Sequence, residues 1–162
     1  MAGAEQKIEV GKKAPAFTLE DQDGKKTALH DLAGQWVVAY FYPRADTPGC
    51  TTEACEFTDS IRDFKKMDAA VLGISPDPVP KLRKFADKYK LKVTLLSDVD
   101  KKVLAKYGAW GIKKMYGRET EGVIRSTALI DPQGKVAYHW PNVKAKGHAE
   151  KVREKLKELR GA

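Results

Sequence analysis

Hydrophobic positions along the chain fall into short, nearly continuous runs, separated by stretches that repeat with a helical period. Trp36-Val37-Val38-Ala39-Tyr40-Phe41-Tyr42 carries almost no polar side chain, as expected of a central strand covered on both faces. Residues 69–74 and 93–96 are shorter runs of the same kind and predict two further strands. Residues 16–19 and 26–29 flank an Asp23-Gly24 turn and predict a hairpin. Residues 124–130 and 135–140 flank Asp131-Pro132-Gln133-Gly134, a tetrad suited to reversing the chain, and predict a second antiparallel pair. Helical spacing appears in Val79, Leu82, Phe85, Ala86 and Tyr89, and again in Val152, Leu156 and Leu159. The alternation predicts an α/β fold in which a mixed central sheet is flanked by helices, with an N-terminal hairpin as an extension.

Composition narrows the setting. A chain of 162 residues, 42% hydrophobic, suits one domain over residues 1–162 with a buried core. The first residues are polar, with no apolar stretch of the secretory kind, and no run approaches the ~20 apolar residues of a membrane span; a soluble, cytoplasmic protein is expected. A formal charge of +8 would favour acidic partners, nucleic acid among them. The lysines, however, are spread through residues 81–92, 101–114 and 144–157 among acids, without the aromatic-interleaved strands of RNA-binding modules. Such spreading is the pattern of a solvated surface and predicts no nucleic-acid partner. His30, His139 and His148 show no ligand or triad spacing, and Trp36, Trp110 and Trp140 suit packing. Two cysteines with scattered histidines do not supply a four-ligand zinc set, so no metal is expected.

The cysteines carry the chemistry. Cys50 and Cys55 follow the longest apolar run across Pro43-Arg44-Ala45-Asp46-Thr47-Pro48-Gly49. Thr47 suits an N-cap and Pro48 a first helical position. A helix start offers unpaired N–H groups and partial positive charge, which stabilise a thiolate over a thiol. Cys50, Ala54, Phe57, Ile61 and Phe64 fall within about 40° of one line on a helical wheel, so Cys50 shares the buried stripe of one helix through residue 64. Cys55 lies roughly 140° around that wheel and faces away. In an intact helix the two Cα atoms stand roughly 8 to 9 Å apart, beyond the ~7 Å within which a disulfide closes. A link between them therefore requires the first turns to unwind, which the weak helix formers Gly49, Thr51 and Thr52 ease. A cysteine on an apolar stripe is ordinarily an inert core residue; the turn and helix start mark this one as reactive.

Pro43-Arg44-Ala45-Asp46-Thr47-Pro48-Gly49-Cys50, followed by Glu53 and Cys55, resembles the active-site signature of peroxiredoxins, in the bacterioferritin comigratory protein or peroxiredoxin Q branch. The resemblance runs on through Gly11-Lys12-Lys13-Ala14-Pro15-Ala16-Phe17, Gly73-Ile74-Ser75-Pro76-Asp77, Leu95-Leu96-Ser97-Asp98 and Arg125-Ser126-Thr127-Ala128-Leu129-Ile130-Asp131. It implies a thioredoxin-like fold and reduction of hydrogen peroxide and organic hydroperoxides without metal, haem or other cofactor. It implies that Cys50 is the peroxidatic cysteine, attacking as thiolate and becoming a sulfenic acid. Thr47 would accept from the peroxide and donate to the thiolate, while Arg125 would hold the thiolate and polarise the peroxide oxygens. Cys55 would resolve the sulfenic acid into an intramolecular disulfide, to be reduced by thioredoxin or a similar dithiol. Pro43 and Pro48 would shape the loop and keep water out, and Gly49 would let the backbone approach the substrate. Arg125 shares a strand face with Val123, Thr127 and Leu129 in this reading, which predicts burial, and Glu53 reads as a structural hydrogen-bond partner. Members of the branch are often monomeric, which implies a monomer.

Two rival classes differ in testable ways. A thiol–disulfide reductase ordinarily pairs its cysteines across two residues, whereas four intervene here. A module binding an acidic partner would need no reactive cysteine.

Overall fold

The computed structural model describes residues 8–115 and 117–161. Among these described residues nine strands and five helices follow one another, with a short 3₁₀ turn at Leu29–Leu32. The strands are β1 (Thr18–Asp21), β2 (Lys26–Ala28), β3 (Trp36–Phe41), β4 (Ala69–Ser75), β5 (Thr94–Ser97), β6 (Trp110–Met115), β7 (Arg118–Val123), β8 (Ser126–Ile130) and β9 (Val136–Trp140). The helices are α1 (Pro48–Asp59), α2 (Ile61–Lys66), α3 (Val79–Tyr89), α4 (Lys102–Lys106) and α5 (His148–Arg160). Seven strands form one sheet in the order β2-β1-β5-β4-β3-β8-β9. Its centre, β3, β4 and β5, is parallel, and β1, β8 and β9 join antiparallel.

Period-two alternation in β3 divides the interior. Val38 and Tyr40 face a core shared with Phe57, Phe64, Leu82, Phe85 and Val152, so α1, α2, α3 and α5 cover this side. Val37, Ala39 and Phe41 point to the other side, where α4 supplies Val103 and Leu104 and the N-terminal segment supplies Ile8 and Phe17. Burial on both faces explains why this strand reads as an unbroken apolar run. Gly73 of β4 is the register partner of Tyr40 and leaves room for its ring, because a Cβ at Gly73 would stand 2.6 Å from it.

The expected N-terminal hairpin is present and extends the central sheet, since β1 pairs with β2 and also with β5 through Glu20 and Ser97. Other expectations need correction. The helix expected through residue 64 breaks at Ser60, whose backbone leaves helical geometry at φ −97 and ψ 4. The buried stripe nevertheless persists, with Phe57 and Phe64 in one core. The sequence pattern passed over α4, which has only five residues, and the two-stranded sheet of β6 and β7. In β7 residues 118–121 are all exposed, so no alternation marks the strand. Among the described residues no helix is long and apolar enough to cross a membrane.

Candidate active site

The ends of three adjacent strands converge on one edge of the sheet. β3 runs into the loop from Pro43 to Thr47 and then into α1, which carries both cysteines. β8 is antiparallel to β3 with Ser126 opposite Phe41, so Arg125, one residue earlier, stands beside that loop. β4 is parallel to β3 and ends at Ser75, bringing Asp77 to the same edge.

Helix α1 begins as the motif predicts, with Thr47 at the N-cap and Pro48 at the first position. The first helical hydrogen bond is Thr51 N–H to the Thr47 carbonyl at 2.8 Å. The N–H groups of Gly49 and Cys50 thus precede the helical ladder and remain available at the helix start. The Thr47 hydroxyl does not cap the helix; it donates to the Arg44 carbonyl at 2.9 Å. Among the described residues no hydrogen bond joins Thr47 to Cys50, though its oxygen keeps lone pairs to accept with.

Cys50 is buried, and Nη2 of Arg125 donates to its sulfur at 3.2 Å. Nη1 of the same guanidinium donates to Oε1 of Glu53 at 2.6 Å, one helical turn below Cys50. Arg125 itself lies between β7 and β8, not within a strand, and Val123 and Leu129 belong to opposite cores. The shared-face expectation therefore fails; Arg125 is partly buried because α1 offers it a sulfur and a carboxylate. Burial alone would lower its pKa, but Glu53 and Cys50 together hold it above the ordinary arginine value. Gly49 makes the approach possible, since a Cβ there would sit 3.1 Å from Nη2. The glycine accommodates the guanidinium, an addition to the close substrate approach expected of it.

Glu53 is fully buried, and its second carboxylate oxygen has no hydrogen-bond partner among the described residues. Burial raises its pKa from 4.5 to about 7, against the opposing pull of Arg125. The hydrogen-bond role read from sequence is therefore joined by an ion pair. Cys55 lies on the flank of α1, half-buried, its thiol pKa raised by burial and by the Asp59 carboxylate. Both cysteines are free thiols within one continuous helix. Pro43 and Arg125 line a cavity of about 340 Å³ with Ile112, Lys113, Ile124 and Asn142, so the overlooked β6 forms one wall of the approach to Arg125. Thr47 lines a separate cleft beside α3, with Arg44, Lys81 and Lys84. Among the described residues no group of three His, Cys, Asp or Glu is arranged to hold a metal ion.

A thiol at a helix start, held by an arginine on a thioredoxin-like sheet, defines a thiol peroxidase of the two-cysteine kind. A profile of the AhpC/TSA family matches residues 10–139, and the chain belongs to that family, in its Bcp or peroxiredoxin Q branch. A putative peroxiredoxin of Mycobacterium tuberculosis is 51% identical over 146 residues, covering 90% of this chain and 93% of the relative. Peroxiredoxin Bcp of Escherichia coli is 44% identical over 151 residues, covering 93% of this chain and 97% of its own. The bacterioferritin comigratory protein of Xanthomonas campestris, studied for alkyl peroxide reduction, superposes with a TM-score of 0.87 at 36% identity over 93% of this chain and 99% of that one.

Proposed function

We propose that Cys50 is the peroxidatic nucleophile and Cys55 the resolving thiol of an intramolecular cycle. The observation that carries this reading is the 3.2 Å contact between Arg125 Nη2 and Cys50 Sγ at the first turn of α1. The Cys50 thiolate attacks one peroxide oxygen, the O–O bond breaks, and the leaving oxygen takes up a proton to depart as water or alcohol. Arg125 and the N–H groups of Gly49 and Cys50 stabilise charge on the transferring and departing oxygens. In this reading the Thr47 oxygen, which keeps lone pairs beside its bond to the Arg44 carbonyl, accepts from the incoming hydroperoxide, and Pro43 borders the approach to Arg125. Cys50 becomes a sulfenic acid; the Cys55 sulfur then displaces its hydroxyl as water and a disulfide forms. Thioredoxin or a similar dithiol supplies two electrons to restore both thiols. We read the chain as one cytoplasmic domain acting as a monomer on hydrogen peroxide and organic hydroperoxides.

Peroxide consumption with a thioredoxin reducing system, beside Cys50→Ser and Cys55→Ser, tests the cycle. Cys50→Ser should abolish turnover, whereas Cys55→Ser should consume about one equivalent and then stall. Mass analysis of oxidised wild type should find the Cys50–Cys55 link. Full thioredoxin-linked turnover by Cys55→Ser removes the resolving role.

A further inference from the structure

The loop that delivers Thr47 and Cys50 is held by a carboxylate with no evident part in the chemistry. Asp77 is buried, and among the described residues no cation pairs with it. Its Oδ2 accepts the Ala45 backbone N–H at 2.7 Å and the Ser75 hydroxyl at 2.9 Å. Its own backbone is fixed as well. The Asp77 carbonyl accepts the Ser97 hydroxyl at 2.7 Å, and its N–H donates to Ser75 Oγ at 3.3 Å. Ser75 and Ser97 end β4 and β5 and are register partners. A carboxylate mounted on two strand ends thus reaches 32 residues back to the middle of the active-site loop. The next loop residue, Asp46, adopts a left-handed φ of 63. Its carboxylate accepts from Lys88 Nζ at 2.9 Å and Tyr89 Oη at 2.5 Å, in the last turn of α3. Residues flanking the start of α3 and residues at its end therefore hold two consecutive loop positions.

We infer that Asp77 is a positioning residue for the peroxide step, setting the Pro43–Thr47 loop through the Ala45 N–H, with the Asp46 tie to α3 reinforcing it. The inference rests on the proposed roles of Cys50 and Cys55 and adds a feature of its own. The clamped loop is also the leading edge of the helix that must unwind before Cys55 can reach Cys50. Release of the loop then acts on the two steps with opposite sign: attack on peroxide slows because the site is misplaced, while disulfide formation quickens because the helix start is freed. The acting feature is an oxygen acceptor and not its charge, so a neutral amide with the same oxygen preserves the function.

Rapid-quench mass analysis of reduced protein mixed with hydrogen peroxide separates sulfenic acid formation from disulfide formation. Asp77→Ala should form the sulfenic acid about 100-fold more slowly, the scale of a misplacement of about 1 Å, and convert it to disulfide faster than wild type. Asp77→Asn should stay close to wild type in both steps, and Tyr89→Phe should shift both in the Asp77→Ala direction by less. Both steps unchanged in Asp77→Ala, or both slowed together, overturns the inference; so does an Asp77→Asn that behaves like Asp77→Ala. If Asp77→Ala loses its far-ultraviolet circular dichroism, Tyr89→Phe decides: opposite shifts support the clamp and unchanged steps overturn it. A wild type whose Cys50 resists peroxide brings down the peroxidase roles too, whereas a competent wild type matched by Asp77→Ala overturns the clamp alone.

Discussion

At the scale of single residues, one guanidinium serves a sulfur and a carboxylate at once, and its placement depends on a missing Cβ. Arg125→Ala removes the donor at 3.2 Å from Cys50 and should slow the peroxide step by about 10²–10³-fold, the usual consequence of losing one preorganised donor. Stopped-flow oxidation of the reduced variant measures it, and an unchanged second-order rate rejects the role. Gly49→Ala should act on the same step more weakly, because its new Cβ displaces Nη2 without deleting it. Cys50 and Arg125 were legible from a short motif and a second segment that carries the family resemblance. Their contact follows from the same resemblance, whereas the face expected of Arg125 was wrong because it sits between strands, where alternation says nothing about direction. Asp77 was visible only within a resembling segment; its bond to Ala45 crosses 32 residues and depends on β3 and β4 being parallel neighbours.

At the scale of elements, α1 combines a labile beginning with an anchored end. Glu56 accepts the Gly147 N–H at 2.8 Å, and Thr58 Oγ1 accepts the Lys92 N–H at 3.1 Å. Both tethers lie beyond Cys55, so unwinding can be confined to the turns between the cysteines. Hydrogen exchange should show lost protection over residues 51–55 on oxidation and retained protection at residues 57–59; equal protection of residues 51–55 in both forms refutes the coupling. Thr52→Ala, at an exposed position, should favour the helix by roughly 0.6 kcal/mol and slow disulfide formation about threefold. Rapid quench reads that delay, and greater sulfinic acid formation at high peroxide accompanies it. The break at Ser60 escaped the periodic pattern because it leaves Phe57 and Phe64 on the same core.

At the scale of the molecule, two buried groups oppose one another in the pH dependence of stability. Glu53 has its pKa raised to about 7, so the folded protein holds more protons than the unfolded chain between about pH 4.5 and 7, and stability falls as pH rises through that window. His148, buried with Nε2 2.8 Å from Thr127 Oγ1, is lowered from 6.5 to about 4, chiefly by burial and then by Lys151 and Arg125. Its contribution is complete above pH 6.5 and lost as pH falls towards 4. Each effect is roughly 3 kcal/mol in scale, and across the shared window they largely cancel. Denaturant unfolding between pH 4.5 and 6.5 should therefore be nearly flat for wild type. Glu53→Gln should unmask a rise with pH and His148→Gln a fall; parallel curves for all three proteins exclude this balance.

A helix that contains both thiols when reduced also bears on the electron donor. Closing the disulfide removes helical hydrogen bonds, and reduction lets them form again, so refolding assists every return to the dithiol. Three such bonds at about 1 kcal/mol each would move the reduction potential of the pair by about 60 mV towards the more oxidising side. The protein then accepts electrons from a wider range of dithiols than an unstrained disulfide would, and strengthening α1 would widen it further.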